Sequence, residues 1–155
     1  MSEAPRFPRL VTQTLNGTSI ILPDSLGDRY AFIAIAFRRS TQPVVDSWME
    51  AVVDTLTSPS VTYYEVPILA GGWRTISGFI ENGMRSGVAV DHHDHVATYF
   101  GSTDRLRRHL GIDDPSAAYV YLVDGSGLVH WSHSGWADDK SVALLADRIR
   151  RLPMP

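Results

Sequence analysis

Apolar positions along the chain follow two rhythms, the two-residue period of a strand and the 3.6-residue period of a helix. Leu10–Leu15 and Thr18–Leu22 are strand-like runs joined by Asn16-Gly17, a pair that tolerates positive φ and predicts a hairpin closed by a type I′ turn. Pro23–Asp28 predicts a turn-rich connection. Tyr30–Phe37 is an unbroken apolar run of strand length, the pattern of a central strand covered on both faces. Pro43 then suits a first helical position, where its missing N–H loses nothing. Val44, Val45, Trp48, Met49, Val52, Val53 and Leu56 recur at helical spacing, with a stop expected near Ser58-Pro59. Val61–Leu69 is rich in β-branched and aromatic residues and predicts a second strand. Tyr63 and Tyr64 are adjacent on it and should face opposite ways, leaving one exposed.

Further on, Trp73, Ile76, Ile80 and Met84 mark one face of a helix weakened by Gly78 and Gly83. Val88–Phe100 is ambiguous, strand-like at its ends and polar between. Ser102–Leu110 predicts a short helix stopped by Gly111. Ala118–Val123 and Leu128–Ser132 predict strands paired around Asp124-Gly125-Ser126-Gly127. Asp138 or Asp139 should cap a last helix whose face carries Val142, Leu145, Ala146 and Ile149.

A βαβ half demands parallel strands, and a late ββα half adds antiparallel ones. That order predicts an α/β chain with a thioredoxin-like three-layer fold: a mixed central sheet flanked by helices, preceded by an N-terminal β-hairpin. With 155 residues and neither repeat nor low-complexity linker, one domain spanning 1–155 is expected, residues 1–9 forming a flexible extension. Trp48 belongs to the core, Trp131 should pack on the sheet, and Trp136 falls in a loop after Gly135.

Composition narrows the function. The formal charge is −3, and arginines and aromatics are not interleaved on one element, so nucleic acid is not an expected partner. No apolar run approaches the roughly 20 residues of a membrane span. Met1–Leu10 has neither an apolar signal core nor an amphipathic transit pattern, so a cytoplasmic location is expected. The cysteine count of zero excludes disulfides, thiolate nucleophiles and cysteine-bound zinc.

The run Ala36-Phe37-Arg38-Arg39-Ser40-Thr41-Gln42-Pro43-Val44-Val45-Asp46-Ser47-Trp48 resembles the first strand–helix junction of the mitochondrial ATP synthase Fo-sector assembly factor family, the ATP-ten family. Asp94–Phe100, Leu110-Gly111-Ile112, Tyr119–Asp124, Gly127–Trp131 and Ser134-Gly135 follow in that family's order. The resemblance spans about residues 30–150. It implies a thioredoxin-fold branch, related to peroxiredoxins, whose members help assemble a membrane subunit instead of performing redox catalysis.

In a redox-active thioredoxin fold, a thiol between the first central strand and its helix is acidified by the helix N-terminus. Here Arg38, Arg39, Ser40, Thr41 and Gln42 hold that place. Ser40 and Thr41 stay hydroxyls without a neighbouring base. Free N–H groups beside Arg38 and Arg39 offer a carboxylate or phosphate site; alternatively the arginines are solvated and a hydroxyl caps the helix. These residues are the expected binding surface. Ala117-Ala118-Tyr119 takes the place of a cis-proline, so a trans bond is expected before Tyr119.

Asp91-His92-His93-Asp94-His95 is the other candidate. Imidazole with carboxylate suits zinc or another divalent ion, and an open coordination position would permit hydrolysis. In an extended run Asp91, His93 and His95 would share one face, and His130 and His133 would contribute only if folding brought them close. The alternative is an exposed polar loop. The sequence thus favours a non-catalytic, chaperone-like or assembly-type protein with an unidentified protein partner and no cofactor. A metal-binding protein or metal-dependent hydrolase, and a structural homodimer, are the alternatives.

Overall fold

The computed structural model describes residues 6–69 and 94–153. The elements are β1 (Leu10–Thr14), β2 (Ser19–Leu22), β3 (Tyr30–Ala36), α1 (Gln42–Val52), β4 (Val61–Leu69), β5 (Ala97–Phe100), α2 (Thr103–Leu110), β6 (Tyr119–Asp124), β7 (Val129–Ser134) and α3 (Asp139–Arg150). The strands form one sheet in the order β2-β1-β5-β4-β3-β6-β7. The β3–β4 and β4–β5 pairs are parallel; β3–β6, β6–β7, β1–β2 and β1–β5 are antiparallel. This is the mixed sheet and N-terminal hairpin of a thioredoxin-like fold.

The apolar run of β3 explains its position. Ala31, Ile33 and Ile35 enter a core with Val66 and Ile68 of β4, Leu106 of α2, and Tyr121 and Val123 of β6. Phe32 and Ala34 face the opposite layer, where Val45, Trp48 and Val52 of α1 meet Leu145 and Ile149 of α3. A strand apolar on both sides is stable only where both sides are covered. Trp131 packs against that second layer, edge-on to Trp48 with ring centroids 5.6 Å apart.

Several expectations need correction. The first hairpin is not closed by a type I′ turn. Gly17 has φ +84°, but no described non-glycine residue has positive φ, so Asn16 stays right-handed. Gly17 N donates to the Thr14 carbonyl at 2.9 Å and Thr14 N to the Thr18 carbonyl at 2.8 Å, the three-residue loop in which a turn is followed by a left-handed glycine. Tyr63 and Tyr64 are both buried, at 8% and 7% exposure, because β4 is covered on both faces. Residues 6–9 are tied down: Phe7 is buried, and its N–H donates to the Gly127 carbonyl at 2.6 Å. The first long helix ends at Val52, earlier than Ser58-Pro59. The ambiguous Val88–Phe100 stretch ends in β5. The helix expected around Trp73–Met84 lies outside the described residues. The bond before Tyr119 is trans; the described cis bond is Leu22-Pro23.

Candidate functional site

Strand β3 delivers the chain to the N-terminus of α1 through a 3-10 turn at Arg39–Thr41. The Thr41 side chain and amide both turn back to the Arg38 carbonyl, Oγ1 at 2.5 Å and N at 3.1 Å. Thr41 is buried, has φ −88° and ψ −2°, and makes no capping bond to α1. Its hydroxyl closes the turn, whereas Ser40 and Arg38 are exposed. The side chain of Arg39 lies outside the description. Pro43 occupies the second position of α1, one residue later than the sequence suggested.

Gln42 links this junction to the sheet. Its side-chain amide donates to Asp46 at 2.8 Å and to Glu65 of β4 at 3.3 Å. Burial raises the Glu65 pKa; the Gln42 bond pulls it back, and the Asp46 charge adds to the rise. Asp114, before β6, is held below the usual carboxylate range by the Ser116 hydroxyl and amide, then by Arg38 and Arg107. The Tyr119 hydroxyl fixes the Asp114 backbone at 2.7 Å. Arg38 is therefore balanced across the junction by Asp114, while Gln42 faces the carboxylates Asp46 and Glu65. Among the described residues no imidazole bonds Ser40 or Thr41, so the junction offers charge and hydrogen bonds without an activated nucleophile. Sequence reasoning passed over Glu65, although one acid inside the otherwise uncharged β4 run was a signal.

The histidine run is only partly described: Asp91, His92 and His93 lie outside. Asp94 and His95 sit in a 3-10 turn ahead of β5, not in an extended segment. Asp94 accepts a bond from the Asn16 side-chain amide. His95 stacks on Tyr63, with centroids 4.0 Å apart and planes 7° from parallel. Its Nδ1 lies 2.8 Å from the Tyr63 carbonyl, which only accepts, so Nδ1 carries a proton and donates.

The fold does not bring His130 or His133 to this place. They lie on β7, with β4, β3 and β6 between it and β5, roughly 19 Å at ordinary strand spacing. His130 instead donates Nε2 to Asp124 at 2.9 Å, and His133 packs against Trp48 and Trp131. Burial alone would raise the Asp124 pKa, but bonds from Ser126, His130 and the Leu128 amide outweigh it and lower the value. Among the described residues no three histidine, aspartate or glutamate side chains are grouped to hold a metal ion. No described helix is long and apolar enough to cross a membrane.

Comparison with known proteins gives a consistent picture. A family model described as "ATP10 protein" matches residues 1–152. Comparison with curated proteins gives no match. Among solved structures, the pneumococcal exposed lipoprotein thioredoxin from Streptococcus pneumoniae is 10% identical, with 90% of this chain and 98% of that one covered and a TM-score of 0.60. A thioredoxin-family thiol:disulfide interchange protein from Chlorobium tepidum TLS is 14% identical, covering 97% of each chain at a TM-score of 0.53. BsSco, a member of the Sco family of cytochrome c oxidase assembly proteins, is 12% identical over 96% of each chain, at a TM-score of 0.59. At these identities the likeness shows the fold alone.

Proposed function

The chain belongs to the ATP10 protein family, and from that premise we propose that it acts by binding a protein partner in an assembly or chaperone-like role, without catalysis. One observation carries the reading: the strand–helix junction where a thioredoxin fold would place its thiol holds Arg38–Gln42, in a chain with no cysteine. Arg38, Arg39, Ser40, Thr41 and Gln42 form the proposed contact surface. The exposed Arg38 and Ser40 suit polar recognition, and the bonds from Thr41 to Arg38 and from Gln42 to Asp46 and Glu65 keep the surface rigid.

A photo-crosslinking residue at Ser40 tests this in extract from the native source. The expected result is one discrete adduct, competed by excess unlabelled protein and not by an Arg38→Glu variant. Adducts competed equally by both proteins would sink the reading.

A second reading has one observation in its favour. His95 donates Nδ1–H to a backbone carbonyl, the arrangement that orients metal-bound histidines. On that reading Asp91, His92, His93, Asp94 and His95 would supply ligands to a divalent ion. Elemental analysis of untagged, dialysed protein decides it: near-stoichiometric metal that disappears in a His93→Ala, His95→Ala double variant supports the site, and metal-free protein rejects it.

A further inference from the structure

We propose that the outer edge of β7, together with Trp136, is a docking strip for an extended polypeptide segment of a protein partner, one carrying an apolar residue flanked by Lys or Arg. The inference rests on the reading that the chain works through a protein partner, and it places an extended segment on elements other than the β3–α1 junction.

Strand β7 closes one side of the sheet. The Gly135 amide donates to the Ala118 carbonyl at 3.0 Å, which sets the phase of the β6–β7 ladder. His133 and Trp131, opposite Val120 and Leu122, therefore bond inward to β6, and Ser132 and Ser134 turn their N–H and C=O groups outward. The outer edge already accepts an antiparallel backbone at its start, where Phe7 N donates to Gly127 and Arg6 bridges Leu128. Beyond that bridge no described strand continues along β7. Ser132 and Ser134 are small and exposed, and the strand carries neither Lys nor Pro to repel a neighbour. The opposite edge differs. Strand β2 is shorter, and the Ile21 amide is already taken by the Ser25 hydroxyl at 3.0 Å.

Two residues past β7 stands Trp136, 59% exposed. Its neighbours are fixed on both sides. Gly135 accepts from Trp48 Nε1 at 2.7 Å, and the Ala137 amide donates to Ser47 Oγ at 3.1 Å. A large apolar side chain held in water on a rigid backbone loses little entropy when a partner covers it. The charges around it set the partner's sign. Asp138 and Asp139 follow Trp136, and Glu50 is exposed on α1 one turn after Ser47; Lys140 is the cation beside them. An incoming segment is thus held by backbone bonds to Ser132 and Ser134, an apolar contact on Trp136 and basic residues beside it.

The test titrates isotope-labelled full-length protein with a synthetic peptide of alternating valine and lysine, followed by nuclear magnetic resonance. The expected shifts fall on the Ser132 and Ser134 amides and the Trp136 indole. They vanish with the same peptide N-methylated on alternate residues, and a valine–glutamate peptide binds more weakly. Trp136→Ala should raise Kd at least about tenfold while the rest of the spectrum is unchanged. No shift at millimolar peptide, shifts confined to other elements, or binding that survives N-methylation would overturn the strip. Shifts confined to Arg38–Gln42 would overturn it while leaving the proposed function standing. Peptide binding at β7 in a protein that gives no specific Ser40 adduct would instead support the strip and remove the junction as the contact surface.

Discussion

Glu65 shows how one side chain couples the junction to pH. Its carboxyl sits between Gln42 and the sheet, and burial, reinforced by Asp46, favours the protonated form in the folded protein. A carboxyl with a raised folded-state pKa contributes stability that is present below its unfolded value and is lost as pH rises through the folded value. Glu65→Gln should therefore raise Tm relative to the natural chain at pH 8, and the gain should shrink towards zero near pH 4. Thermal melts at the two values check the sign; equal Tm differences at both would mean that Glu65 titrates as it does unfolded. The same scale holds the correction at Thr41. One alternative had the hydroxyl of Ser40 or Thr41 capping the helix, but the Thr41 hydroxyl reaches the Arg38 carbonyl instead, because the 3-10 turn before α1 puts that acceptor 2.5 Å away.

Among the elements, α1 ties the sheet to the loop after β7. Trp48 is fully buried against Phe32, Trp131 and His133, and its indole N–H holds the Gly135 carbonyl. Trp48→Ala should cost about 3–5 kcal/mol in urea unfolding, the usual range for a buried aromatic truncated to alanine. Trp48→Phe should cost less while still freeing the Gly135 carbonyl; faster amide exchange at Gly135–Ala137 in that variant would register the lost anchor. The ends of α2 were legible in sequence because their signals are local. Ser102 accepts from the Arg105 amide at the start of α2, and Gly111 ends it with φ +69°. At α3 the sequence left Asp138 and Asp139 open. The reciprocal bonds between Asp138 and Ser141 select Asp138, a choice that depends on the backbone angle at which β7 delivers the chain.

For the whole molecule, the sheet order predicts a gradient of protection. Strand β3 is bonded on both sides and buried on both faces, so its amides should exchange slowest, those of β4 and β6 next, and those of β2 and β7 fastest among the strands. Hydrogen exchange under native conditions checks that ranking; protection of β7 equal to that of β3 would contradict it. By itself the sequence determined the rhythm of strands and helices, the central place of β3, the loss of thiol chemistry and the family resemblance, because periodicity, residue inventory and motif order are properties of the chain alone. Tertiary structure decided which groups meet. It placed Gln42 between Asp46 and Glu65, buried both Tyr63 and Tyr64, separated His130 and His133 from His95 across the sheet, and set Trp136 exposed just past the end of β7. Those outcomes depend on contacts between residues far apart in sequence, and such contacts exist only once the strands have an order in the sheet.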